Sequence, residues 1–206
     1  MALVTFVIPS IGRATLRRTL ASLEAQTDSS WQAIVLFDNI KPSIHATKHV
    51  RVVSSPYKLG VGKNGAGRVR NVAMRYVTTP WAAFVDDDDT LSHTYVADLR
   101  SNASRHPSLP AMIFRMCNHD GRILPPADHT MFRCCAVGIS FAVRTDLWRN
   151  KRLEFSPSSV EDYNLLLRIH TMTDILLAPQ VVYYVRNRRP VKTVIFPEHV
   201  IPQATS

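Results

Sequence analysis

"WAAFVDDDDT", residues 81–90, sets four carboxylates directly behind an unbroken apolar run. Such a run, bounded by polar residues, reads as a strand buried on both faces. Neighbouring carboxylates about 5 Å apart oppose one another by about 1 kcal/mol in water and about 3 kcal/mol in a half-buried crevice. A solvated loop tip tolerates that load. A divalent cation, for which Asp oxygens are suitable hard ligands, turns the repulsion into attraction.

Toward the N-terminus, residues 3–8, "LVTFVI", form a second apolar run broken only by Thr5, as expected of a central parallel strand. Pro9 is expected to end it, with a turn at Ser10-Ile11-Gly12-Arg13. From Thr15 to about Gln26, Leu16, Leu20 and Leu23, with Ala21, recur at helical spacing. Residues 32–37, "QAIVLF", supply the next strand, closed by Asp38-Asn39. A short helix is expected after Pro42, and "VRVVS", 50–54, is a third strand. The stretch "SPYKLGVGKNGAGR" then holds four of the chain's seven glycines between 60 and 67 and reads as a loop. Behind it Val69, Val72, Ala73, Tyr76 and Val77 make one helical stripe. Alternating strands and helices argue for a parallel sheet with right-handed crossovers. In such sheets ligands bind beyond the carboxyl ends of the strands, where the four Asp residues stand.

Downstream of residue 90 the pattern is less regular. Ser92 is placed to cap a helix running to about Ser104, "AMIFRM" is a strand, and Asp120-Gly121 signals a hairpin turn. "CCAVGISFAV", 134–143, reads as an apolar strand. A helix over about Ser159–Met172 and two short strands, "DILLA" and "VVYYVR", precede a tail of little periodicity. One domain is expected, with a change of pattern near Asp89 that divides a first half over 1–89 from a second half over 90–190, and a tail over 191–206.

With 206 residues, 46% of them hydrophobic, the chain can bury a sizeable core. No apolar run approaches the ~20 residues of a membrane span, and no signal-peptide pattern follows the N-terminus, so a cytoplasmic protein is expected. Cys117, Cys134 and Cys135 lack metal-site or disulfide-framework spacing and are expected to be buried reduced thiols. A formal net charge of +9 implies an anionic partner, such as a nucleotide diphosphate, a nucleic acid, an acidic polymer or a membrane surface.

Several stretches together resemble the family 2 nucleotide-sugar glycosyltransferases of GT-A fold. They are "VTFVIPSIGR" (4–13), "IVLFDN" (34–39), "GRVRNVAM" (67–74) and "FVDDDD" (84–89), the last in the place of that family's D-x-D-D. "VEDYNLLLRI" (160–169) resembles its acidic base motif. The resemblance spans roughly 5–186 and departs from the family at Asn39-Ile40 and Val69. It implies an α/β three-layer sandwich with a mostly parallel central sheet and helices on both faces.

By the same resemblance, Pro9, Ser10 and Arg13 border the nucleotide, Asp38 accepts from the base, Asp86 meets the ribose or base side, and Asp88 ligates Mn²⁺ or Mg²⁺. Asp86 is counted with the metal as well, and Asp87 with the nucleotide; Asp89 supports the site. Extended geometry would put Asp86 and Asp88 on one side and Asp87 and Asp89 on the other. Arg70, in the first turn of its helix where a cation opposes the dipole, calls for an anion nearby, either a diphosphate or an Asp. Glu161 and Asp162 are the candidate bases. Asp162 shares a helical face with Leu165, Leu166 and Ile169 and is the preferred one, against a role in a capping box starting at Ser159.

The expected activity is inverting transfer from a nucleoside-diphosphate sugar, UDP-linked, to a carbohydrate hydroxyl on a glycan, glycoprotein or lipid. Neither a nucleic-acid partner nor a membrane span is expected. The rivals are a metal-dependent nucleotidyltransferase, which calls for more glycine and lysine after the first strand than "IPSIGRATL" offers, and a basic nucleic-acid-binding protein. For the latter, "YYVRNRRPVK", 183–192, is the one suggestive stretch.

Overall fold

The computed structural model describes residues 1–60, 65–126, 128–187, 196 and 198–204. Its centre is β1 (Val4–Ser10), flanked in parallel by β2 (Trp31–Phe37) and β4 (Trp81–Phe84), with β3 (Val50–Ser54) outside β2. Paired residues on neighbouring strands face the same side of a sheet. Phe6 and Ala83 therefore share one face, Val7 and Phe84 the other. On the first face Phe6 meets Trp31 and, from helix α3 (Tyr95–Arg105), Tyr95. On the second, Phe84 packs on Phe141, Phe155 and Trp148, the last from helix α4 (Thr145–Asn150). Apolar aromatic layers on both faces are why these strands show no polar alternation.

Helix α1 (Leu16–Glu24) links β1 to β2, and α2 (Ala66–Met74) precedes β4. The second half adds β5 (Thr90–Leu91), β6 (Ala111–Cys117), β7 (Ile123–Leu124), β8 (Phe141–Arg144), α5 (Glu161–His170), β9 (Ile175–Tyr184) and β10 (His199–Ile201). The sheet runs β10-β9-β6-β8-β4-β1-β2-β3. The half built from β1 to β4 is parallel, as expected. Antiparallel β8 joins β4 to β6, and β9 runs parallel to β6, so the other half is mixed.

Several local expectations give way. Pro9 does not end β1, which pairs with β2 through Ser10. Pairing with β4 stops near Val7, so the missing amide of Pro9 falls where that side of the strand has no partner. No helix forms after Pro42. The apolar segment 134–143 is strand only from Phe141; Cys134 and Cys135 are exposed, not buried, while Cys117 is buried. "DILLA" and "VVYYVR" are one strand through Pro179. There β9 bulges against β6, and β10 and β5 pair only with its two ends, so a proline is tolerated. Thr94, rather than Ser92, is the residue before α3, though the Ser92 hydroxyl bonds to that of Thr94. β5, α4 and β10 carried no periodic signal that a sequence reading could use.

Candidate active site

The carboxyl ends of β1, β2 and β4 open into a cleft of about 500 Å³, walled by Pro9, Ser10, Arg13, Asp38, Lys58 and the start of α2. Asp38 is buried, and its Oδ1 and Oδ2 accept the amides of Leu59 (2.6 Å) and Gly60 (3.0 Å). It thus anchors the glycine-rich loop as well as facing the cleft. A Cβ at Gly60 would stand 2.9 Å from Asp38 Oδ2, which explains a glycine there.

The four Asp residues do not continue the strand. The amide of Asp89 donates to the carbonyl of Asp86 (3.1 Å), closing a turn, so the expected alternation is replaced by a different grouping. Asp86, Asp88 and Asp89 converge, each offering an oxygen within 4.8 Å of the others. Asp87 turns away, is 2% exposed, and accepts from Ser10 Oγ (2.8 Å), the amide of Ile11 (3.2 Å) and Arg13 (2.7 Å). Its oxygens tie the turn to the end of β1. Arg13 also reaches Asp88 at 3.5 Å. Burial and the neighbouring Asp86 push the Asp89 carboxyl up to about 7, and burial raises that of Asp88 as well.

Arg70, buried on α2, lies between Asp86 and Glu161 and pairs with both. Its helix-start position is therefore offset by two carboxylates. Glu161 Oε2 accepts the amide of Gly67 (3.1 Å), so this side chain joins the first turn of α5 to that of α2. A Cβ at Gly67 would lie 2.3 Å from that oxygen. Asp162, the next residue, accepts the amide of Tyr163 at Oδ1 (2.8 Å), and Val160 is the residue before the helix, with no side-chain cap. Burial raises the carboxyl of Asp162, partly countered by Arg70.

A second cavity, of about 360 Å³, is lined by Arg70, Asp86, Asp89, Glu161 and Asp162, together with Asn118 and Gly138. Asp86 and Ala66 border both cavities. The acidic turn therefore stands where the two spaces meet.

Sequence reasoning missed Lys58 and Asn118, gave Gly67 no role beyond opening a helix, and read Tyr183 as part of a strand or of a basic, aromatic stretch. Of the basic stretch 186–192, Arg188, Arg189 and Lys192 lie outside the described residues; Arg186 is exposed and gives its amide to Asp89 (2.7 Å).

The donor set suits a hard divalent ion. Among the described residues, Arg13 pairs with Asp87 and Asp88, and Arg70 with Asp86 and Glu161.

The model of glycosyl transferase family 2 matches residues 5–174. No curated protein matches the chain in sequence. Among solved structures, S. aureus TarS 1-349 is similar with a TM-score of 0.73 at 18% identity, covering 89% of this chain and 60% of that one. TarS 1-349 in complex with UDP-GlcNAc gives 0.73 at 16% identity, over 92% and 60% of the two chains. The complex with UDP gives 0.72 at 17%, over 89% and 60%. The chain thus spans about 60% of those TarS 1-349 chains, and the likeness is one of fold. No described helix is long and apolar enough to cross a membrane. A parallel half-sheet, an acidic turn at its carboxyl edge and a family match over most of the length agree, and the chain belongs to glycosyl transferase family 2.

Proposed function

We propose that this chain is an inverting glycosyltransferase. It moves a sugar from a UDP-linked donor to a hydroxyl of a carbohydrate acceptor, on a glycan, protein or lipid, in the cytoplasm. Residues 1–89 serve the nucleotide, 90–190 the acceptor, and 191–206 form a tail on a single domain. The observation that carries the reading is the acidic turn at the junction of two cavities of about 500 and 360 Å³. That TarS was solved with UDP and with UDP-GlcNAc supports the choice of donor.

In this reading Pro9, Ser10, Arg13 and Asp38 line the nucleotide's cleft, and Asp87 holds Ser10 and Arg13 in place. Asp86, Asp88 and Asp89 would hold Mn²⁺ or Mg²⁺, which when bound supplies Lewis-acid stabilisation of the leaving diphosphate. Asp162 lines the second cavity and takes the proton of the acceptor hydroxyl. As the acceptor oxygen bonds to the anomeric carbon, the bond to the diphosphate breaks on the opposite face, so the configuration inverts. Holding both substrates in adjoining cavities removes much of the entropic barrier. Glu161, with both oxygens engaged by Arg70 and Gly67, braces the base rather than replacing it.

Isothermal titration of nucleoside diphosphates with and without Mn²⁺ tests the reading. UDP is expected to bind only with the metal, and Asp88→Ala to abolish that binding. Metal-independent binding, or none, removes the basis of the mechanism.

A further inference from the structure

Tyr183 is the penultimate residue of β9, is fully buried, and takes no part in the chemistry above. Its hydroxyl donates to Asp89 Oδ2 at 2.6 Å and accepts from the amide of Asp86 at 3.2 Å. Arg186, in the left-handed region with φ 51°, aims its own amide at Asp89 Oδ1 at 2.7 Å. Both oxygens of Asp89 are therefore held from the end of one strand. The same hydroxyl fixes the first residue of the acidic turn. Directly after the turn, β5 pairs with β9 as well, Thr90 with Tyr184 and Leu91 with Tyr183. β9 thus grips the turn at both ends.

We propose that Tyr183 is the positioning residue of the cation site: its phenol, helped by the Arg186 amide, keeps Asp86 and Asp89 at ligating distance. The inference rests on the cation reading of the proposed function. Without an ion, three carboxylates within 4.8 Å of one another repel, and a ligand free to swing away must be gathered again at each binding event. A buried donor beneath them removes that freedom, as outer partners of metal ligands do elsewhere. Replacing Tyr183 by Phe keeps the ring packed and deletes only the oxygen that serves both residues.

The test is a Mn²⁺ titration followed by the electron paramagnetic resonance of free Mn²⁺, with and without UDP, on the wild type, Asp88→Ala and Tyr183→Phe. The wild type should bind, Asp88→Ala should not, and Tyr183→Phe should bind about tenfold more weakly. Turnover of Tyr183→Phe should return as Mn²⁺ is raised, so that the KM for metal climbs while kcat at saturating metal holds. Equal Mn²⁺ affinity in Tyr183→Phe and wild type, even with lowered thermal stability, overturns the positioning role and leaves the cation site standing. Failure of the wild type to bind Mn²⁺ in either arm overturns both. If Tyr183→Phe does not fold, Mn²⁺ should still perturb the ultraviolet difference spectrum of a buried tyrosine in the wild type. Tyr183 is the tyrosine whose hydroxyl bonds to the turn among the described residues. An unperturbed spectrum counts against the proposal.

Discussion

As the proposed base, Asp162 meets two demands that pull its protonation in opposite directions. Burial raises its carboxyl above the ordinary value of 3.8, while a base must be ionised to work. The native state therefore keeps a proton that the unfolded chain has already released. As pH climbs from the ordinary carboxylate range through the raised native value, Asp162 subtracts stability and gains competence as a base. Turnover should consequently fall as pH drops through a limb lying above 3.8. Asp162→Asn keeps the oxygen that accepts the Tyr163 amide, so it should leave UDP binding and the thermal midpoint at neutral pH intact or higher. Its kcat should drop by roughly 10²–10⁴-fold, and the acid limb should vanish from the pH–rate profile. A variant that turns over like the wild type would reduce Asp162 to a first-turn hydrogen-bond acceptor.

Among elements, the joint between α2 and α5 sets the distance from the acidic turn to Asp162, the proposed base. Asp86, Arg70, Glu161 and the Gly67 amide form one chain of charged hydrogen bonds, and Arg70 also lies over the Phe155 ring at 5.3 Å. Gly67 permits the closest approach in that chain, since any Cβ there would meet Glu161 Oε2 at 2.3 Å and Phe155 Cβ at 2.8 Å. Gly67→Ala should push α5 outward, costing about 1–3 kcal/mol in urea unfolding as an overpacked site does. Because Arg70 would lose its second carboxylate, kcat should fall more than the affinity for UDP. The sequence showed Gly67 as one glycine among several. Its particular need arises from a glutamate 94 positions away.

For the whole molecule, β10 closes the edge of the sheet. Ile201 is fully buried opposite Ile175, and Glu198 pairs with Arg105 (2.6 Å) and His106 (2.5 Å) at the end of α3. Ending the chain at residue 197 should remove that cover and leave the edge of β9 open. Loss of one buried Ile is worth about 1.5–3 kcal/mol. For a domain of this size that lowers the thermal midpoint by roughly 3–10 °C. The bared edge should also promote association, visible in light scattering. An unchanged midpoint would show that the tail adds nothing to the fold.

Local chemistry wrote much of this structure into the chain. β1, β2 and β4 were legible because strands buried on both faces are uninterrupted apolar runs, and α1, α2 and α5 because their stripes recur with the helical period. The acidic turn and the Glu161-Asp162 pair were legible as residue types in order. The tertiary structure alone decided which carboxylates converge, because a turn, not a strand, carries Asp86 to Asp89. It also decided that Arg70 answers Glu161 across 91 positions, and that Tyr183 holds Asp89 across 94. The reason is one of range. Periodicity reports what a residue's neighbours in sequence do, whereas a buried charge or hydroxyl is defined by the partner that the folded chain brings to it, and that partner leaves no mark nearby.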